Sequence, residues 1–131
     1  MALLAGKYQF ERNEKYFEYL KSLGPEVSDE IASKLDGSKP TIDVVIDGNV
    51  CNISSSAGRG QKFTFGETFD EELFPGITVK TTATLNGNKV EVQSVFGDGR
   101  SGSRVFEFSD GGLIIHYSNA KGSGKRFFKR V

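Results

Sequence analysis

From Thr41 to the C-terminus the chain is cut at intervals of about a dozen residues by dipeptides that favour two-residue hairpin turns. These are Asp47-Gly48, Asn86-Gly87, Asp98-Gly99 and Asp110-Gly111, with Gly58 to Gly60 and Gly122 to Gly124 near the same beat. Between them lie short runs rich in Val, Ile, Thr and Phe, in which apolar residues recur at every second position, as in Ile42, Val44, Ile46 and in Val90, Val92. Strands of this kind bury one face and wet the other. Many of them joined by tight hairpins leave exposed edges unless the sheet closes on itself, so the spacing predicts an up-and-down antiparallel β-barrel. With 131 residues and no linker, low-complexity tract or solenoid repeat, a single domain over 1–131 is expected.

Helical periodicity is confined to the N-terminal third. Tyr16, Phe17, Leu20 and Leu23 recur at spacings of three and four before Gly24 and Pro25, which predicts a first helix from Asn13 to Leu23. Pro25 suits the first turn of a second helix, with Val27, Ile31, Ala32 and Leu35 on one face before Asp36 and Gly37. The pair carries mixed charges without a basic stripe, so it does not read as a DNA-binding helix-turn-helix. Seventeen basic and seventeen acidic residues cancel, which offers no bulk field for a nucleic acid.

A barrel of more than eight strands is too wide for its own side chains to fill and tends to hold solvent or a small ligand. Strand alternation puts Arg126 and Phe128 on one face of the last segment, opposite to Lys125, Phe127 and Lys129, and groups Arg104 with Phe106 and Ile115 with Tyr117. If these point inward, the lumen is apolar with one or two guanidinium groups. A buried arginine costs several kcal/mol unless it meets an anion, and its planar fork fits a carboxylate. A fatty acid offers that group with an apolar tail. The alternatives are that Arg126 faces solvent or pairs internally with a Glu.

Catalytic and metal chemistry have little to stand on. His116, the single histidine, is expected on the solvent face, and no nucleophile elbow is present. Cys51 cannot form an internal disulfide and reads as a packed strand residue, while one Cys and one His do not make a structural zinc site. No enzymatic activity, metal or cofactor is expected. The stretch Gly97 to Gly102 lacks the Gly-Lys-Ser/Thr ending of a phosphate loop and reads as a hairpin. The single cysteine and the absence of a secretory signal, membrane span or lipidation motif predict a reducing, cytoplasmic location.

Gly6-Lys7-Tyr8-Gln9-Phe10, Asn13-Glu14-Lys15-Tyr16, and Tyr19-Leu20-Lys21 with Gly24 form an N-terminal block. Lys39-Pro40-Thr41, Gly66-Glu67, Phe69-Asp70-Glu71, Val79-Lys80, Thr84-Leu85-Asn86-Gly87 and Asp110-Gly111 with Leu113-Ile114 follow in register. Together they resemble the intracellular lipid-binding protein family, which contains the fatty-acid-binding and cellular retinoid-binding proteins of the calycin, lipocalin-like group.

The resemblance implies a ten-stranded β-clam lidded by the two helices and a monomeric carrier of one long-chain fatty acid. A retinoid, bile acid or other bulky lipid is the alternative, as is a structural barrel that has lost its ligand. The family's carboxylate site, an Arg-x-Tyr on the last strand with a second arginine two strands earlier, implies Arg126 as anion partner. Phe128 stands in the tyrosine place, and the second arginine place holds Phe106, with Arg104 two residues before. Phe106, Tyr117, Ile115 and Phe128 would then line the ligand. Tyr16, Tyr19, Ala32 and Thr78 are the implied portal residues, and Ser56, Ala57 and Gly58 stand where an aromatic gate is common, so access is expected to be looser. Lys15, Lys21 and Lys34 on the lid could touch anionic membrane, opposed by Glu14, Glu18, Glu26, Asp29 and Glu30.

Overall fold

A computed structural model describes residues 5–24, 27–56, 60–74 and 77–131. Pro25 and Glu26 at the proposed second helix start, and Ala57 and Gly58 at the proposed gate, lie outside the described residues. Ten strands follow one another: β1 (Gly6–Glu14), β2 (Thr41–Asp47), β3 (Val50–Ser55), β4 (Gly60–Thr64), β5 (Thr68–Phe74), β6 (Ile77–Asn86), β7 (Lys89–Val95), β8 (Ser101–Ser109), β9 (Gly112–Asn119) and β10 (Gly122–Arg130). Two helices, α1 (Tyr16–Ser22) and α2 (Asp29–Asp36), interrupt the run after β1.

Every pairing is antiparallel, and the sheet order β4-β3-β2-β1-β10-β9-β8-β7-β6-β5 is a meander wrapped around so that β1 bonds both β2 and β10. The expected ten-stranded barrel is therefore present. Its seam falls between β4 and β5, which share no ladder among the described residues. Phe63 of β4 and Phe69 of β5 stack across it with ring centroids 5.4 Å apart and planes 3° from parallel. Apolar contact takes over where hydrogen bonds stop.

The described hairpins follow the sequence spacing with shifts: Gly122 to Gly124 lie inside β10, behind an Ala120-Lys121 loop between Asn119 and Gly122, and Gly58 lies outside the described residues. Asp47 pairs with Val50 and Asn86 with Lys89, so the two-residue loops are Gly48-Asn49 and Gly87-Asn88. Gly48 (φ 62°) and Gly87 (φ 63°) occupy the first loop position, the arrangement of a type II′ turn. Asp47 and Asn86 close the strands instead of forming the turn. Asp110-Gly111 does form its loop, between Ser109 and Gly112.

The first helix starts later than its periodicity suggests, because Asn13 and Glu14 still pair with Arg126 and Lys125 in β1. Lys15 breaks the strand in the left-handed conformation (φ 56°) and α1 begins behind it. Gly124 of β10 lets that start lie close, since a Cβ there would stand 2.6 Å from the Lys15 carbonyl oxygen. The second helix is capped by Ser28, whose hydroxyl accepts from the Ile31 amide at 3.2 Å. Val27 and Ala32 are buried beneath it, with Ile31 and Leu35 half-buried beside them. No helix among the described residues is long and apolar enough to cross a membrane.

The interior divides into two clusters joined at Tyr117. One, built on Tyr8, Ile42, Val44, Cys51, Phe63, Ala83, Val90, Val92, Phe106, Phe108, Leu113, Ile115 and Phe128, lines the barrel; the other joins α1 and α2 to Val79 and Phe96 under the lid.

Candidate functional site

Arg126 points inward from β10, as its parity with Phe128 requires, and is 6 % exposed. Three elements converge on it. Its Nε donates to Asn13 Oδ1 on β1 at 2.9 Å, and its Nη2 donates to the Ser38 carbonyl at 2.8 Å and the Ser38 hydroxyl at 3.2 Å. Its guanidinium carbon lies 4.5 Å from the Tyr16 ring centroid and 4.9 Å from that of Phe10. All of these partners are neutral. Among the described residues no carboxylate lies within ion-pair distance of Arg126; the nearest acidic link is indirect, through Asn13 Nδ2 donating to Asp36 Oδ1 at 3.1 Å and to the Asp36 carbonyl at 2.8 Å.

Asn13 reaches this place because β1 contains a bulge. Phe10 pairs with Phe128, yet Arg12, not Glu11, pairs with Phe127, so the register slips by one residue. Strict alternation from Phe10 would put Arg12 inside and Asn13 outside. The bulge reverses both: Asn13 turns in toward Arg126, and Arg12 turns out to lie over the Phe127 ring at 3.8 Å.

Arg104 also faces the lumen, but it is not free to meet an anion. Glu71 of β5, 4 % exposed, takes both arms of the fork, Nη1 to Oε2 at 3.0 Å and Nη2 to Oε1 at 2.5 Å. Thr81 donates to the same carboxylate at 2.7 Å, and Ser94 accepts from Arg104 at 3.2 Å while sharing a hydrogen bond with Thr81 at 2.9 Å. Burial alone would pull the Arg104 guanidinium toward its neutral form, but the Glu71 carboxylate more than offsets this and holds its pKa above the usual value. The internal pairing with a Glu that the sequence left open for Arg126 is thus found at Arg104. Two guanidiniums against one carboxylate leave one net positive charge in the described lumen, and it resides on Arg126.

The remaining expected residues are brought together, with one correction. Phe106, Ile115 and Phe128 are buried in the barrel cluster beside Tyr117, and the β9 register sets Ile115 against Arg126 and Tyr117 against Arg104. Tyr16 and Tyr19 are buried under the lid instead of standing at a rim: their rings pack 5.0 and 5.1 Å from that of Tyr117, because α1 lies across β9 and β10 with these residues on its inner face. Burial raises the pKa of all three hydroxyls, Tyr19 to about 12. Of the other portal candidates, Ala32 is buried and Thr78 exposed.

Away from the lumen, His116 faces outward and bonds Glu107 at 2.9 Å. Cys51 is packed in the core, where burial pushes its thiol up to about 11. The Gly97 to Gly102 stretch is a hairpin whose Arg100 reaches the Leu23 carbonyl behind α1 at 2.5 Å. Asn13, Ser38, Glu71, Thr81 and Ser94 escape a residue-by-residue reading. Only Glu71 left a signal, a carboxylate at the same strand parity as Phe69.

No family model matches the chain. A fatty acid-binding protein of Tyrophagus putrescentiae is 32 % identical over 133 residues, covering 99 % of each chain. Among solved structures, a fatty acid-binding protein from Drosophila melanogaster brain superposes with a TM-score of 0.83 at 28 % identity, over 97 % of this chain and 98 % of that one. The REP1-NXSQ fatty acid transporter superposes with a TM-score of 0.85 at 28 % identity, over 100 % of this chain and 98 % of that one.

Proposed function

The chain belongs to the fatty-acid-binding protein family, and from that premise we propose that it binds and carries one long-chain fatty acid inside the cell, carboxylate on Arg126. The observation that carries this reading is a guanidinium removed from water with no carboxylate beside it among the described residues. Hydrogen bonds to Asn13 and Ser38 and the rings of Tyr16 and Phe10 offset part of the desolvation, at roughly 1 kcal/mol or more per contact, but a burial penalty of several kcal/mol favours an anion. One uncompensated charge suits one carboxylate. The rings of Phe10, Phe106, Tyr117 and Phe128 would receive the tail.

A neutral head such as retinol would leave Arg126 uncompensated, and a barrel without ligand would bury that charge to no purpose. Neither alternative is favoured. The chain is read as one monomeric, cytoplasmic carrier domain without catalysis, metal or cofactor. Delivery by contact of the lid with a membrane would rest on Lys15 and Lys34, since Lys21 is held by Asp29 at 2.8 Å and by the Val27 carbonyl at 3.0 Å. Transfer rates indifferent to anionic lipid would exclude it.

The experiment is calorimetric titration of delipidated protein with oleate, for wild type and Arg126→Gln. Micromolar or tighter binding that weakens by about 10- to 100-fold in the variant supports the site. Equal binding by both would move the carboxylate elsewhere, and no binding by wild type would overturn the carrier reading.

A further inference from the structure

The hydrogen bonds around Arg126 place one residue between a buried cation and an acid. Asn13 accepts from the Arg126 Nε through Oδ1 at 2.9 Å, and its Nδ2 donates to the Asp36 carboxylate at 3.1 Å and to the Asp36 carbonyl at 2.8 Å. Both groups met by Nδ2 are acceptors and the group met by Oδ1 is a donor, so only one orientation of the amide satisfies all three contacts. Turned over, it would set N–H against N–H and oxygen against oxygen.

The same place would admit an aspartate. That residue has the shape of asparagine, and the bulge in β1 already aims position 13 at the guanidinium, so a carboxylate there would stand against Nε at about the present 2.9 Å and make a buried ion pair. The barrel contains such a pair two strands away, where Glu71 takes both arms of Arg104 and compensates its charge from within. One lumenal arginine is thus neutralised by a carboxylate. The other is held by an amide, with Asp36 kept behind it.

Holding a cation and neutralising it are separate effects. The Asn13 amide fixes the Nε side of Arg126, and the Ser38 carbonyl and hydroxyl fix Nη2 at 2.8 and 3.2 Å, all without adding negative charge. A head group entering the site meets an oriented guanidinium, 6 % exposed, whose charge is unspent. An anionic head gains that charge in surroundings of low dielectric, whereas a neutral head on the same chain leaves it unmet.

Resting on the carrier reading above, we propose that Asn13 is a specificity-determining residue of the head-group site: its neutral side chain, where an aspartate would fit, makes the lumen select anionic lipids over neutral ones of the same chain. It acts through Arg126 and need not touch the ligand.

The test compares oleate with oleyl alcohol, which carries a neutral head on the same chain, by displacement of a fluorescent dye. Each protein is read as the ratio of the two affinities, which cancels general damage to the site. Wild type is expected to prefer oleate by about 10- to 100-fold. Asp36→Asn leaves the Asn13 amide on Arg126 and should preserve that preference. Asn13→Asp/Asp36→Asn moves one negative charge onto the guanidinium without changing the net charge of the chain, and avoids two carboxylates 3.1 Å apart; its ratio should fall to about one. Asn13→Leu removes the amide but adds no charge, so it should retain the preference, and it keeps the proposal open to refutation even where the double variant does not fold. A preference that survives the double variant, or one lost in Asp36→Asn or Asn13→Leu, overturns the proposal. A wild type that binds both lipids alike would remove the carboxylate from Arg126, and one that binds neither would overturn the carrier reading; each takes this proposal with it.

Discussion

Replacing Arg104 by leucine should damage the protein far more than replacing Arg104 and Glu71 together. In the single variant Glu71, 4 % exposed, loses the cation that takes both of its oxygens, while Thr81 still donates to it at 2.7 Å. A buried carboxylate stripped of its cation costs about 3–5 kcal/mol, a large share of the roughly 5–15 kcal/mol that holds a domain of this size. In Arg104→Leu/Glu71→Leu no charge is stranded, and Thr81 and Ser94 still bond each other at 2.9 Å. Its stability should return to within about 1 kcal/mol of wild type. Urea unfolding of the four proteins at pH 7 measures this directly; with a slope near 1.5 kcal/mol/M the single variant's midpoint falls by about 2–3 M.

A single variant that loses less than about 1 kcal/mol, or a double variant whose loss is the sum of two singles, would refute the reasoning.

Three further outcomes follow from other parts of the fold. Cys51, packed in the core with its thiol raised to about 11, should stay unmodified by a thiol reagent at pH 8 until denaturant is added; fast labelling of the folded protein would contradict that packing. All four tyrosines have raised pKa values through burial, so their stabilisation is complete below about pH 10 and is lost as pH rises above that, for Tyr19 through about 12. Absorbance of native tyrosinate should therefore lag that of the unfolded chain. Gly124→Ala places a Cβ 2.6 Å from the Lys15 carbonyl and should lower stability by about 1–3 kcal/mol, with amide exchange rising first in α1; unchanged exchange there would show that the lid does not depend on this close approach.

The barrel was legible because its information is repeated: several hairpins carry a turn glycine, and the strands repeat the alternation of apolar residues. Parity put Arg126 and Phe128 on one face and His116 opposite Ile115 and Tyr117, but left open which face turns inward; the family resemblance supplied Arg126 as the anion partner. What surrounds Arg126 was not legible, for three separate reasons. The bulge after Phe10 inverts the parity that would have excluded Asn13, and no dipeptide in Glu11-Arg12 announces it. The Ser38 contact is made partly by a backbone carbonyl, which every residue possesses. Glu71 meets Arg104 across 33 residues, and only knowledge of which strands are neighbours joins them. The helix start misread at Asn13 has the same origin, since aromatic spacing cannot show that β1 continues to Glu14.

The central claim is that Arg126 holds an ionised ligand carboxylate away from water. Carbon-13 NMR of carboxyl-labelled oleate bound to the delipidated protein, titrated downward from pH 8, reports it most directly. A guanidinium contact lowers the carboxyl pKa below the usual value near 4, so the bound resonance should remain at its ionised position well below that pH in wild type. It should titrate or be lost in Arg126→Gln. A wild-type resonance that titrates together with unbound carboxylate would place the head group in solvent and contradict the account.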